Sequence, residues 1–261
     1  MRRYRLAVLG GTFDHLHVGH HALLATAFHV GDSVAIGLTT DRFVASLAKP
    51  DPRRIQPFRA RRAALARYLR RNFPNRKWRV VALDDPFGRS IEREVDALVV
   101  SRDTEPGGRA VNRERRRLGR RPVPLVIVPL VLADDLEPVS SRRVRAGSIR
   151  SDGRRRAPIR IAVAVPDLRD RPPALRAVRT VFPNARVVRG TTSPGNVSSS
   201  ADLMVDVTRR SPSGWLVAVG SRRVRLNPRL IRGSRPEQLE PGLIGVLRPQ
   251  EQRKLFGTSR S

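Results

Sequence analysis

Cysteine is missing altogether from the 261 residues, which removes disulfides, thiolate nucleophiles and thiolate-bound metals together. Aromatic residues reach only 5 %, few for the stacking platforms that grip single-stranded nucleic acid. No apolar run approaches the roughly 18 residues a membrane span needs. The apolar stretch after the basic start MRRYR is also too short for the core of a secretory signal. The chain is therefore expected to be soluble and cytoplasmic. Lysine is nearly absent as well: only Lys49, Lys77 and Lys254 stand among 52 basic residues, and the net charge is +29. So lopsided and scattered an excess of arginine points to codon preference or heat adaptation ahead of a nucleic-acid footprint. Nucleic acid is not expected as a partner. The charge favours small polyanionic substrates instead.

What is present alternates strand and helix. RLAVLG (5–10), SVAIGLTT (33–40), WRVVAL (78–83), DALVVS (96–101) and PLVIVPLV (124–131) read as buried strands. Between them come a helix with Leu23, Leu24, Ala27 and Phe28 at helical spacing, and an amphipathic helix over 57–73 with Phe58, Leu65, Leu69 and Phe73 on one face. A further helix follows near 108–119, and VSSRRVRAG starts the last. Apolar strands without alternation, separated by helices, imply a parallel sheet covered on both faces. The expected fold is α/β: a Rossmann-like domain over 1–150, a polar, basic linker at 151–158, and a second, smaller α/β or α+β domain over 159–261. In the latter, strands are expected at 159–165, 185–189, 203–207, 215–219 and 243–247, with a helix near 173–182.

The segment GGTFDHLHVGHH (10–21) ends the first strand and holds His15, His17, His20 and His21. In open α/β sheets ligands sit beyond the carboxyl ends of the strands. Gly10 and Gly11 let the backbone come close to a phosphate. The following helix offers unpaired N–H groups and the positive end of its dipole. His17 and His20, three residues apart, share a face and can aim N–H donors at one phosphate. Surface or metal-binding histidines are the alternative, but no third ligand with zinc-like spacing stands out.

These residues carry a resemblance. GTFDHLHVGH resembles the GxFDxxHxGH signature of the nucleotidylyltransferase superfamily, and VSSRRVR (139–145) resembles its second signature, ISSTxIR. IGLTTDRF, DDPFGRSIEREVDALVVSRDT and PLVIVPLVLADDLEPVSSRRVRAG together resemble the archaeal and eukaryotic phosphopantetheine adenylyltransferases, over roughly residues 5–150. The resemblance implies that ATP and 4′-phosphopantetheine, with Mg²⁺, give dephospho-coenzyme A and pyrophosphate. It implies catalytic roles for His20, which would stabilise the transition state, for His17 and for Lys49. The ATP site would comprise Gly11, Thr12, Phe13, His17, His20, Ser101, Thr104, Ser140, Ser141 and Arg145, with Asp103 beside it. Thr12 and Lys49 would meet the acceptor. Lys49 reads equally as a leftover surface lysine, and Asp84 and Asp85 face the pantetheine arm or cap a loop.

The chain departs from the pattern at His15 (often proline), at Arg142 (threonine) and at Arg89 (usually proline). Past residue 158, IAVAVPDLRDRPPALRAVRTVFPNARVV faintly resembles the opening of inosine/xanthosine triphosphate pyrophosphatases, with Ala174 and Arg176 where those enzymes carry lysine and glutamate. Asp202 and Asp206 are metal candidates there or ordinary surface acids. Another nucleotidylyltransferase, with a nicotinamide mononucleotide or cytidylyl acceptor, and an RNA-binding protein on an inactive scaffold are the alternative functions. Oligomeric state is not legible.

Overall fold

A computed structural model describes residues 3–47, 52–189, 201–211, 214–221, 229–233 and 235–256. They form two compact units. The first runs to Val131 and takes in Ser140–Ala146; the second comprises Leu132–Val139 and Gly147–Phe256. Among the described residues the chain thus changes unit three times, where one boundary near residue 150 was expected.

In the first unit, β1 (Tyr4–Gly11), β2 (Gly31–Thr39), β3 (Lys77–Leu83), β4 (Ala97–Ser101) and β5 (Leu125–Val128) form a sheet in the order β3-β2-β1-β4-β5. Every neighbouring pair is parallel. Alternation along the strands sends Ala7, Leu9, Ile36 and Leu38 to one face and Val8, Ala35 and Leu98 to the other. The first face is covered by α1 (Val18–Val30), through Leu24, Ala27 and Phe28, and by α3 (Phe58–Asn72), through Leu65 and Leu69. The second is covered by α4 (Glu105–Arg117), through Val111. Gly108 lets α4 lie close, since a Cβ there would come within 3.1 Å of Val100. A six-residue helix, α2 (Asp41–Ser46), is capped by Thr40, whose hydroxyl accepts from the Phe43 N–H at 3.2 Å. The short α5 (Ser141–Arg145) closes the unit.

The second unit has a five-stranded mixed sheet. It comprises β6 (Arg160–Ala164), β7 (Arg186–Arg189), β8 (Leu203–Ser211), β9 (Gly214–Gly220) and β10 (Arg229–Arg232), in the order β10-β9-β8-β6-β7. The β6 strand runs parallel to β7 and β8, whereas β8, β9 and β10 are antiparallel. Two helices, α6 (Arg171–Val181) and α7 (Leu239–Phe256), share its core. The strand expected at 243–247 is therefore helix. Leu239, Leu243, Val246 and Leu247 are buried, and their i, i+4, i+7, i+8 spacing is the helical one that the short apolar run concealed.

Residues 151–158 are built into this unit: Ile149 bridges Arg155, and Arg155 pairs with Asp135 at 2.9 Å and Asp202 at 3.3 Å. Leu136, from the 132–139 excursion, lies in its core. So does Trp215, wholly buried, with its indole N–H donated to Asp170 Oδ2 at 2.7 Å. The other oxygen of that carboxylate has no hydrogen-bond partner among the described residues. Trp215→Phe should therefore cost about 3 kcal/mol, by lost packing and by a buried carboxylate left without its donor. Chemical denaturation checks this, and a loss under about 1 kcal/mol would contradict it.

Candidate functional site

The loop after β1 lies beyond the carboxyl ends of five parallel strands. Two of its non-glycine residues are left-handed, Phe13 (φ 48) and His15 (φ 42), a conformation that costs about 1–2 kcal/mol each. Tethers hold it. The Phe13 ring is buried, and a Cβ on Gly11 would stand 3.2 Å from it, so Gly11 makes room for this ring. The Thr12 carbonyl accepts from Arg61 Nη1 at 2.9 Å, and the His15 N–H donates to Gln56 Oε1 at 3.0 Å. Asp14 is buried; its carboxylate accepts from the Gln56 N–H at 3.0 Å and forms an ion pair with Arg145.

His17 is the N-cap of α1, and His20 sits one turn in. Their rings stack at 3.8 Å with 23° between planes, and His20 lies 5.1 Å from the Phe13 ring. His17 Nε2 is 3.4 Å from Ser141 Oγ, whereas His17 Nδ1 is buried with no hydrogen-bond partner among the described residues. Burial, the nearby His21 and, more weakly, His15 push the His17 imidazole down to about 4 against the opposing pull of Asp14. It is a neutral ring at physiological pH, able to donate or accept without a fixed charge.

The structure thus brings the two motifs together: Asp14 and His17 of the first meet Arg145 and Ser141 of the second. Ser140 caps α5, its Oγ accepting from the Arg143 N–H at 3.4 Å. Ser101 ends β4. In the β1–β4 pair Ala7 stands opposite Ala97 and Val8 opposite Leu98, so both strands run toward the same carboxyl edge of the sheet. The Ser101 and Thr104 hydroxyls are 3.0 Å apart and hold one turn; Asp103 is exposed on it. Lys49 lies outside the described residues.

Several candidates are engaged locally. Asp85 caps a turn, accepting from the Phe87 and Gly88 N–H groups at 2.7 Å each, and Asp84 accepts from the Thr40 hydroxyl at 2.7 Å. Arg89 pairs with Glu92 at 2.7 Å, whereas Arg142 is exposed. In the second unit Ala174 is wholly buried and Arg176 pairs with Glu240. Asp202 binds Arg155 and Arg160, and Asp206 accepts from the Thr208 hydroxyl at 3.2 Å. Among the described residues no three His, Asp or Glu side chains gather to hold a metal ion.

Sequence reading missed Asp14, Gln56 and Arg61. A signal existed for Arg61. It falls three residues after Phe58 and four before Leu65, so it stands on the apolar stripe of α3. A charge on such a stripe needs partners.

Imidazoles, a serine hydroxyl and an arginine meet beyond the carboxyl ends of parallel strands, the place where open α/β sheets hold their ligands. The chain belongs to the cytidylyltransferase-like family, which matches residues 8–147. The phosphopantetheine adenylyltransferase of Methanothermobacter thermautotrophicus is 42 % identical over 149 residues, covering 57 % of this chain and 87 % of that protein. Its counterpart from Methanopyrus kandleri is 40 % identical over 146 residues, 56 % of this chain and 91 % of that one. A bifunctional phosphopantetheine adenylyltransferase/NTP phosphatase from Thermoplasma acidophilum is 34 % identical over 185 residues, 70 % of this chain. The match spans 55 % of that protein's length. No helix among the described residues is long and apolar enough to cross a membrane.

Proposed function

We propose that this chain is a cytoplasmic phosphopantetheine adenylyltransferase of coenzyme A synthesis, and that the GGTFD–HxGH loop and the 140–145 segment form its active site. A phosphate oxygen of 4′-phosphopantetheine attacks the α-phosphorus of ATP. The new P–O bond makes dephospho-coenzyme A as the bond to the β-phosphate oxygen breaks and pyrophosphate leaves. The nucleophile is already an oxyanion, so the protein needs no nucleophile of its own. Its work is alignment and charge stabilisation.

In this reading His20 donates to the α-phosphoryl oxygens as charge builds there. His17 and the hydroxyls of Ser140 and Ser141 hold the triphosphate, Gly11, Thr12 and Phe13 line it through their backbone, and Ser101 and Thr104 flank the adenosine. Thr12 and Lys49 meet the acceptor phosphate. Arg145 contributes charge from its ion pair with Asp14. Mg²⁺ comes in as part of the metal–nucleotide substrate, a binding mode in which it relies on phosphate oxygens and water more than on protein carboxylates.

The observation that carries the reading is the meeting of the two motifs at His17 and Ser141, 3.4 Å apart across 124 residues of sequence. A pyrophosphate-release assay with ATP tests it, offering 4′-phosphopantetheine, nicotinamide mononucleotide and phosphorylated cytidylyl acceptors in parallel. Release is expected with phosphopantetheine alone. Faster turnover of another acceptor would replace the substrate assignment, and no release with any would remove the activity.

A further inference from the structure

Arg61 is wholly buried, and all three nitrogens of its guanidinium donate hydrogen bonds. Nε donates to the Gln56 carbonyl at 2.7 Å, Nη1 to the carbonyls of Thr12 at 2.9 Å and Thr39 at 2.8 Å, and Nη2 to Asp41 Oδ1 at 2.8 Å. Thr12 follows β1 and Thr39 ends β2, so one side chain ties down the carboxyl ends of two neighbouring strands. Gln56, whose carbonyl Arg61 holds, in turn grips the His15 N–H with its side chain and Asp14 with its own N–H.

We propose that Arg61 is a positioning residue for the phosphate-binding loop, turning the Thr12 carbonyl inward so that the Phe13 N–H faces the reacting phosphate. The peptide group is planar and trans, so its C=O and N–H point in opposite directions. A carbonyl fixed toward Arg61 sends the next N–H the other way. That N–H belongs to a residue 1 % exposed, and no acceptor among the described residues takes it. Buried N–H groups without partners are rare and mark places where something else binds. The left-handed Phe13 stores strain that a flip of this peptide would relieve. A flipped peptide would present an oxygen, and repulsion, to a phosphate. Arg61 holds the donor outward against that strain.

The inference rests on the reading under Proposed function, and Arg76 supplies a control that separates positioning from simple stabilisation. Arg76 Nη2 also donates to two carbonyls, Phe28 and Gly31, both at 2.6 Å, but at the amino end of β2. Arg61→Lys keeps the charge and loses the fork that reaches several carbonyls; Arg76→Lys does the same away from the loop. Both are expected to lose thermal stability. Only Arg61→Lys is expected to lower kcat, by about a hundredfold, the usual effect of removing one preorganised donor, with KM for ATP changed less than threefold.

Selective ¹⁵N labelling of the eight phenylalanines gives a second readout. The Phe13 amide resonance should move on adding ATP in the wild type and in Arg76→Lys, and stay put in Arg61→Lys. Arg61→Gln, expected to behave alike, serves if the lysine variant does not fold. Equal losses of kcat in the Arg61 and Arg76 variants, or a Phe13 amide answering ATP normally without Arg61, would overturn the inference. Should the wild type release no pyrophosphate with any acceptor, the adenylyltransferase reading falls while the amide experiment still decides the role of Arg61.

Discussion

His20→Ala is expected to lower kcat for dephospho-coenzyme A formation by about a thousandfold, while the folded chain survives. Preorganised donors aimed at developing phosphoryl charge are worth about 10²–10³ each, and His20 is placed for such a role. It stands in the first turn of α1, stacked on His17 at 3.8 Å and near the Phe13 ring. Its ring is half-buried rather than part of the core, so Tm should shift by no more than about 5 °C. His15→Ala is the internal control: its ring is 36 % exposed, and the loop grips the His15 backbone through Gln56. That variant should keep near-normal turnover. A His20→Ala enzyme within tenfold of wild type would defeat the assignment of transition-state stabilisation to this residue.

Acidification is expected to destabilise the first unit through His17 by about 3 kcal/mol in total. The unfolded chain protonates this ring near 6.5; burial and neighbouring histidines hold it near 4 when folded. Between those values the unfolded state binds a proton that the folded state refuses. The stability from a neutral His17 is therefore complete above the unfolded pKa and is lost as pH falls from about 6.5 toward about 4. Burial lowers His21 as well and pushes in the same direction. Urea midpoints for the wild type and His17→Asn, measured from about pH 7.5 to about pH 4.5, check this by difference, because the other titrating groups cancel. The wild type should lose stability faster on acidification. Parallel curves would show that His17 is not held neutral by the fold.

Most of the first unit was legible because its signals are local. The apolar strands could belong only to a doubly covered sheet, and Leu23, Leu24, Ala27 and Phe28 of α1 are all buried as their spacing required. The α2 helix escaped notice because six residues carry no period; Thr40 as a cap and the burial of Phe43 and Val44 make it. At 243–247 an apolar run of strand length belonged to a helix whose stripe begins earlier, at Leu239. Within the site, His17, His20, Ser141 and Arg145 could be named from the motifs. Their couplings could not: Asp14 with Arg145, and Arg61 with Thr12, join residues 131 and 49 positions apart, and only the fold makes them neighbours.

The threading of the chain bears on any attempt at dissection. Two modules joined end to end are parted by one cut, but this backbone passes to the second unit at Leu132, returns at Ser140 and leaves again at Gly147. A chain stopped at residue 150 would keep α5 yet strand Leu136, a residue 2 % exposed in a core no longer there. Neither half is a detachable cassette. Swapping or excising one requires an internal splice across residues 132–139, with a new connection made to fit.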